Sequence, residues 1–173
     1  MADSNKCLGS CVFFWGQKQE KTPTWFSMFS KKGKPTEAVQ IMEKLWKGKE
    51  SKNQFPKIDY MLVNQKGAKD DIFVKAGEIC HAEVIFSEPE NEKVEFFREI
   101  LPDLLEEKGG GEKETTPYPI ENIIMENNNK NITFKAPENE GAYRLYIYIS
   151  DPSGQTAISN TPFFVVNDGY LNE

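Results

Sequence analysis

The chain has 173 residues, 38% of them hydrophobic and 28% charged, with a formal net charge of −6. That length suits one ordinary domain plus a small piece of another, and the composition belongs to folded rather than disordered chains. No apolar run approaches the ~20 residues of a membrane-crossing helix, and the acidic balance works against non-specific nucleic-acid binding. Neither a membrane nor a nucleic acid is therefore an expected partner.

Three cysteines occur, Cys7, Cys11 and Cys80. An odd number closes no disulfide framework and the spacings do not resemble a zinc site, so each reads as a buried structural residue. No metal or other cofactor is expected. Residues 1–6 lack a basic stretch followed by an apolar core, so no export signal is read and the chain as written is expected in the cytoplasm.

Residues 12–15, Val12-Phe13-Phe14-Trp15, form a continuous apolar run of the kind found in a strand covered on both faces. Residues 17–24 are polar and contain Pro23, which predicts a loop; Trp25 to Phe29 is a second apolar patch and residues 31–35 a turn. A helix follows. Thr36 suits its N-cap and Glu37 the positive end of its dipole. Ala38, Ile41, Met42, Leu45 and Trp46 lie on one stripe, and Gly48 marks the stop. Residues 1–50 thus read as one strand-loop-helix unit, which cannot fold alone because its strand has no sheet.

Residues 51–57 read as a linker. From 58 to 168 the pattern becomes short strands and turns: 58–63, 72–74 and 79–86, with a tight turn at Lys75-Ala76-Gly77-Glu78. Residues 94–100 have spacing that also fits a helix, but Pro102 and the flanking strands favour an extended reading. Gly109-Gly110-Gly111 lacks the Lys-Ser/Thr pair of a phosphate loop and reads as a flexible connection. Residues 132–134 and 142–149 are further strands. In the latter Tyr143, Leu145, Ile147 and Ile149 face one way, and Arg144, Tyr146 and Tyr148 the other. A turn at Asp151-Pro152-Ser153-Gly154 leads to returning strands at 156–159 and 161–166, and residues 169–173 are a tail. The fold class is mainly β, an antiparallel sandwich of immunoglobulin or fibronectin-III type preceded by the strand-loop-helix unit.

Little in this pattern serves nucleophilic catalysis. The one histidine, His81, neighbours Cys80, but adjacent strand residues point to opposite faces and share no proton. Hydrolysis of a glycosidic bond needs two carboxylates on opposite sides of it. Glu20, on the loop after Trp15, is positioned to meet a sugar hydroxyl, and no second carboxylate accompanies it on a comparable strand end. Acidic runs at Glu88-Pro89-Glu90 and Glu106-Glu107 read as solvated surface. Trp15, Trp25 and Phe26 offer faces on which pyranose rings stack, with Gln17 and Gln19 as hydrogen-bonding neighbours. On spacing alone, the plainer alternative is that both tryptophans are core.

The run from Cys7 to Glu20, Thr22-Pro23-Thr24-Trp25-Phe26, and Thr36-Glu37-Ala38-Val39 with Leu45-Trp46 resemble the end of a (β/α)8 barrel. The likeness is to family 2-like glycoside hydrolases and related carbohydrate-active enzymes of environmental bacteria. Ala142 to Tyr148, Asp151 to Gly154 and Asn160 to Val165 look like the immunoglobulin-like domain that follows such barrels. The resemblance implies that residues 12–15 are the eighth strand of an incomplete TIM barrel and 36–46 its helix. It makes Trp15 the floor of a sugar subsite; if the barrel is completed, the residues read above, Gln17, Glu20 and Trp25, are the further substrate contacts expected. The family's acid/base and nucleophile lie on the fourth and seventh strands, which are absent here, so no catalytic residue is assigned.

The expected function is a C-terminal fragment of a glycoside hydrolase-like protein, not catalytic alone, completed by the remainder of a barrel on the same or another chain. Its parent is expected to be exported. The alternative is a stand-alone β-sandwich module that binds carbohydrate or protein. That module would use Arg144, Tyr146 and Tyr148 if their face is open, or bury them against the N-terminal unit if it is not.

Overall fold

A computed structural model describes residues 11–49, 55–87, 93–103, 112–127 and 130–167. Cys7, both acidic runs named above, the glycine triplet, linker residues 51–54 and the 169–173 tail lie outside them. One helix, α1 (Glu37–Lys47), precedes eight strands: β1 (Lys57–Val63), β2 (Phe73–Lys75), β3 (Ile79–Ser87), β4 (Glu95–Pro102), β5 (Ile124–Asn127), β6 (Asn131–Lys135), β7 (Gly141–Ser150) and β8 (Thr156–Val166). They form two four-stranded sheets, ordered β1-β3-β6-β5 and β2-β8-β7-β4.

In immunoglobulin lettering the first sheet is A-B-E-D and the second carries C, F and G, the constant-type division. β2 is a continuation of the first strand on the other sheet, where it runs parallel to β8 with Phe73 opposite Phe164. The switch follows a tight turn after Val63. Asn64 and Gln65 both adopt left-handed φ, 48° and 66°, and Val63 and Lys66 exchange backbone hydrogen bonds at 2.8 and 2.9 Å. Asparagine tolerates that conformation because its short amide bonds locally; here Asn64 Oδ1 accepts from His81 N at 2.9 Å.

The core lies between the sheets and follows the period of two. Cys80, Ala82 and Val84 point inward from β3, while Tyr143, Leu145, Ile147 and Ile149 do so from β7. Ile132 and Phe134 meet Ile100, Phe163 and Val165 across the interface. Tyr143, near the start of β7, donates its hydroxyl hydrogen bond to Asn139 O at 3.0 Å. This is the tyrosine corner that ties the connection entering that strand in immunoglobulin-like sandwiches. Tyr143→Phe is expected to cost about 1 kcal/mol in urea unfolding; an unchanged midpoint would show that the corner contributes nothing.

Cys80 is fully buried and free. Desolvation, helped by the Glu78 carboxylate, pushes its thiol up to about 11, so it packs as an apolar residue. Two residues after the corner tyrosine, where antibody domains carry their second cysteine, stands Leu145, fully buried. Packing therefore fills the place of a disulfide at that position. Cys11, in contrast, is exposed, which corrects the expectation of burial.

The N-terminal part departs from expectation more sharply. Residues 12–15 form no strand, and Phe13 is 76% exposed. The physical reason is that, among the described residues, no strand lies beside their backbone; the two sheets are antiparallel apart from β2–β8. Instead the segment folds back on itself, with Gly16 O accepting from Met28 N at 2.9 Å. Its rings pair among themselves: Phe13 with Phe26 at 4.9 Å, Trp15 with Phe29 at 5.5 Å and with Trp46 at 5.6 Å. The expected eighth barrel strand is thus an aromatic-rich loop.

The helix forms as expected. Thr36 is its extended N-cap, though its hydroxyl donates to Met28 O at 2.9 Å rather than capping. Gly48 ends it at φ 67°, its N–H bonding to Lys44 O. No α1 residue is fully buried, and Ile41, Leu45 and Trp46 stay about half exposed. None of the described helices is long and apolar enough to cross a membrane.

Candidate functional site

The outward face of β4, β7 and β8 carries a second apolar cluster of Leu101, Tyr146 and Tyr148, with Ile158 packed beside it. A sheet face with these side chains needs cover, and residues 17–36 supply it. Thr156 N donates to Pro35 O at 2.9 Å, and Thr36 makes a parallel bridge with Thr156. Lys21 N donates to Glu114 Oε2 at 2.7 Å, and Thr22 lies beside the Tyr146 hydroxyl. Burial raises the hydroxyl pKa values of both Tyr146 and Tyr148, so both act as neutral phenols. Arg144 is engaged by Asp103 at 2.7 Å and by Asn160 at 2.8 Å. Those three residues therefore do not form an open platform; the tyrosines are packed under the N-terminal segment.

One end of this cover stands off the sheet. Residues 30–34 make a tight turn: Gly33 N donates to Ser30 O and Ser30 N to Lys34 O, both at 2.8 Å, and Lys34 N to Ser30 Oγ at 3.1 Å. Gly33 has φ 72°, a left-handed geometry that glycine adopts without steric cost. Between this turn and β4 and β7 lies a cleft of about 520 Å3. Lys31, Lys32 and Lys34 form one wall, and Phe97 and Tyr148 supply aromatic surface. Glu95 and Glu99 come from β4, with the hydroxyls of Ser30, Ser150 and Thr156 alongside.

Glu99 is the organising group. It is buried, yet Tyr148 donates to its Oε1 at 2.7 Å and Lys31 Nζ does so at 3.3 Å. A buried carboxylate is tolerable only with such partners. Both of these hydrogen bonds fall on Oε1. Phe97, 46% exposed, presents a ring toward the cleft, with Lys32 Nζ 4.9 Å from its centroid and the Tyr148 ring at 5.5 Å. Ser150 and Thr156 share a hydrogen bond at 2.8 Å.

Glu95 and Glu99 lie on one face of β4, four residues apart, so their backbone positions are about 13 Å apart at ~3.3 Å per residue. Glycosidase carboxylates stand about 5–9.5 Å apart across the bond they cleave, and Glu99 is already held by Tyr148 and Lys31. The arrangement suits holding a polar ligand. No cluster that could hold a metal ion occurs among the described residues.

The residues singled out in the sequence lie elsewhere. Trp15 is half exposed against Phe29 and Trp46. Gln17 turns inward to donate to Pro23 O at 3.3 Å, and Glu20 pairs with Lys18. Trp25 is 65% exposed, stacked on Phe26 at 5.7 Å, and borders a separate hollow of about 310 Å3 with Thr24 and Ser27. None of the four lines the cleft. Gln19 is 8% exposed with both amide atoms unpartnered among the described residues, so it offers nothing to a sugar at the surface. His81 and Cys80 do point to opposite faces, the histidine meeting Thr133 Oγ1 at 3.3 Å. Sequence reasoning missed Lys31 to Lys34, Phe97 and Glu99. Phe97 and Glu99 shared an outward alternation with Glu95, which marks a face but not a site, and the lysine turn carried no signal of its own.

No family model matches this sequence, and no curated protein matches it. Among solved structures, the chain is similar to a DUF4784 family protein from Bacteroides caccae, at 17% identity and a TM-score of 0.33 over 64% of this chain. That match takes in 24% of the other protein, so the chain spans about a quarter of its length. It is also similar to murine CRIg, at 7% identity and a TM-score of 0.35, over 65% of this chain and 97% of that one.

Proposed function

We propose that this chain is a carbohydrate-binding β-sandwich module, and that the cleft between residues 30–34 and strands β4 and β7 is its ligand site. The cleft itself carries the reading: it is ligand-sized and combines an exposed ring with buried polar groups. Small-molecule sites typically enclose about 300–1,000 Å3, largely apolar with a few placed polar groups. A pyranose stacks its CH face on Phe97. Its hydroxyls meet Glu99 Oε2 and the nearby serine and threonine hydroxyls. Isothermal titration with a panel of oligosaccharides tests this: saturable one-site binding is expected, and the absence of binding across the panel contradicts it.

A second reading draws on α1. Ile41, Leu45 and Trp46, with Trp15 beside them, leave apolar surface uncovered among the described residues. That is the state of a terminal barrel helix without its neighbours. In this reading the chain is the C-terminal portion of a glycoside hydrolase-like protein, completed by further polypeptide, and is not catalytic alone. Aryl glycosides offered to the isolated chain should not turn over; clear turnover would sink it.

A further inference from the structure

The sign of the charge around the cleft is opposite to that of the chain. Three lysines, Lys31, Lys32 and Lys34, face two glutamates, Glu95 and Glu99, in a protein of net charge −6. Lys31 is engaged by Glu99. Neither Lys32 nor Lys34 has a carboxylate within ion-pair distance among the described residues, and the Lys32 ammonium sits over the Phe97 ring at 4.9 Å. The turn fixed by Gly33 therefore holds two ammonium groups, with no carboxylate paired to them among the described residues, beside the surface on which a sugar ring would stack.

Resting on the carbohydrate-binding reading, we infer that the ligand is an acidic saccharide whose carboxylate or sulfate is taken by Lys32 and Lys34. An anionic substituent on a ring stacked against Phe97 comes within reach of Lys32. There it exchanges a cation–π contact for a charge-assisted hydrogen bond, the stronger of the two. Lys34, half-buried at the other side of Gly33, provides the second donor. Glu99, its charge balanced by Lys31 and its Oε1 held by Tyr148, accepts from a ligand hydroxyl.

The test titrates the full chain with neutral gluco- and manno-oligosaccharides, with oligogalacturonate and with a sulfated heparin-derived oligosaccharide, each at low and high salt. At low salt one acidic ligand is expected to bind about tenfold more tightly than the neutral ones, with the gap closing as salt screens it. The two acidic arms identify carboxylate or sulfate. In the K32A/K34A double variant the gap should close, the acidic ligand binding no more tightly than the neutral ones measured on that same variant. Equal or tighter binding of neutral sugars overturns this inference and leaves the module reading standing. An acidic-sugar preference that survives the double variant also overturns it, since the anion would be held elsewhere. Binding of none of them overturns both.

Discussion

Phe163→Ala is expected to lower the unfolding free energy by about 3–5 kcal/mol, the range for deleting a buried phenylalanine. The side chain is fully buried, and its ring lies 5.6 Å from Phe134 on the opposite sheet and 5.8 Å from Tyr143 on its own. It is thus a contact at which the two sheets and the tyrosine corner meet. Sandwich domains have about 5–15 kcal/mol in total, so the variant should sit near the edge of folding. Urea unfolding reads this as a lower midpoint at unchanged slope. A loss below about 1 kcal/mol, the size of an ordinary surface change, would mean the core is assembled differently.

Phe97→Ala is expected to weaken saccharide binding about 10–100-fold, a loss of about 1.4–2.8 kcal/mol. The ring is the exposed stacking surface of the cleft, and its removal leaves the Lys31–Glu99–Tyr148 network intact. Stability should fall by about 1 kcal/mol or less, because the ring is already half in solvent. Affinity and folding therefore separate in this variant. Titration beside thermal unfolding reads both, and retained affinity would remove Phe97 from the site.

The sandwich was legible where burial alternates along a strand. The sets Cys80, Ala82, Val84 and Tyr143, Leu145, Ile147, Ile149 announce an inward face, and both are found there. Residues 94–100 were also read correctly as extended; β4 runs Glu95–Pro102, with the proline at its end. The short β5 went unread. It is an edge strand with Met125 exposed, so it lacks the alternation that would reveal it. Periodicity likewise showed residues 72–74 as a strand but not the parallel pairing with β8, since a period reports a face and never a partner.

The apolar run at residues 12–15 misled for the same reason. Four apolar residues satisfy a strand pattern, but a strand exists only where another backbone bonds to it. Here Phe13 and Trp15 find other rings instead, and Gly16 O closes a loop. Trp15 and Trp25 end up exposed rather than core, away from the cleft. The cleft itself arises from three separate stretches, 30–34, 95–99 and 148–156. Only folding brings the lysine turn over Phe97 and Glu99, so no local motif could have marked it.

The central claim is that this cleft holds a saccharide, and amide chemical-shift mapping of the full chain during an oligosaccharide titration tests it most directly. Saturable shifts should cluster at residues 30–34, at Phe97 and Glu99, and at Tyr148 and Ser150. Shifts confined to the Trp15, Trp25 and Trp46 surface, or no saturable shift with neutral or acidic sugars, would contradict it.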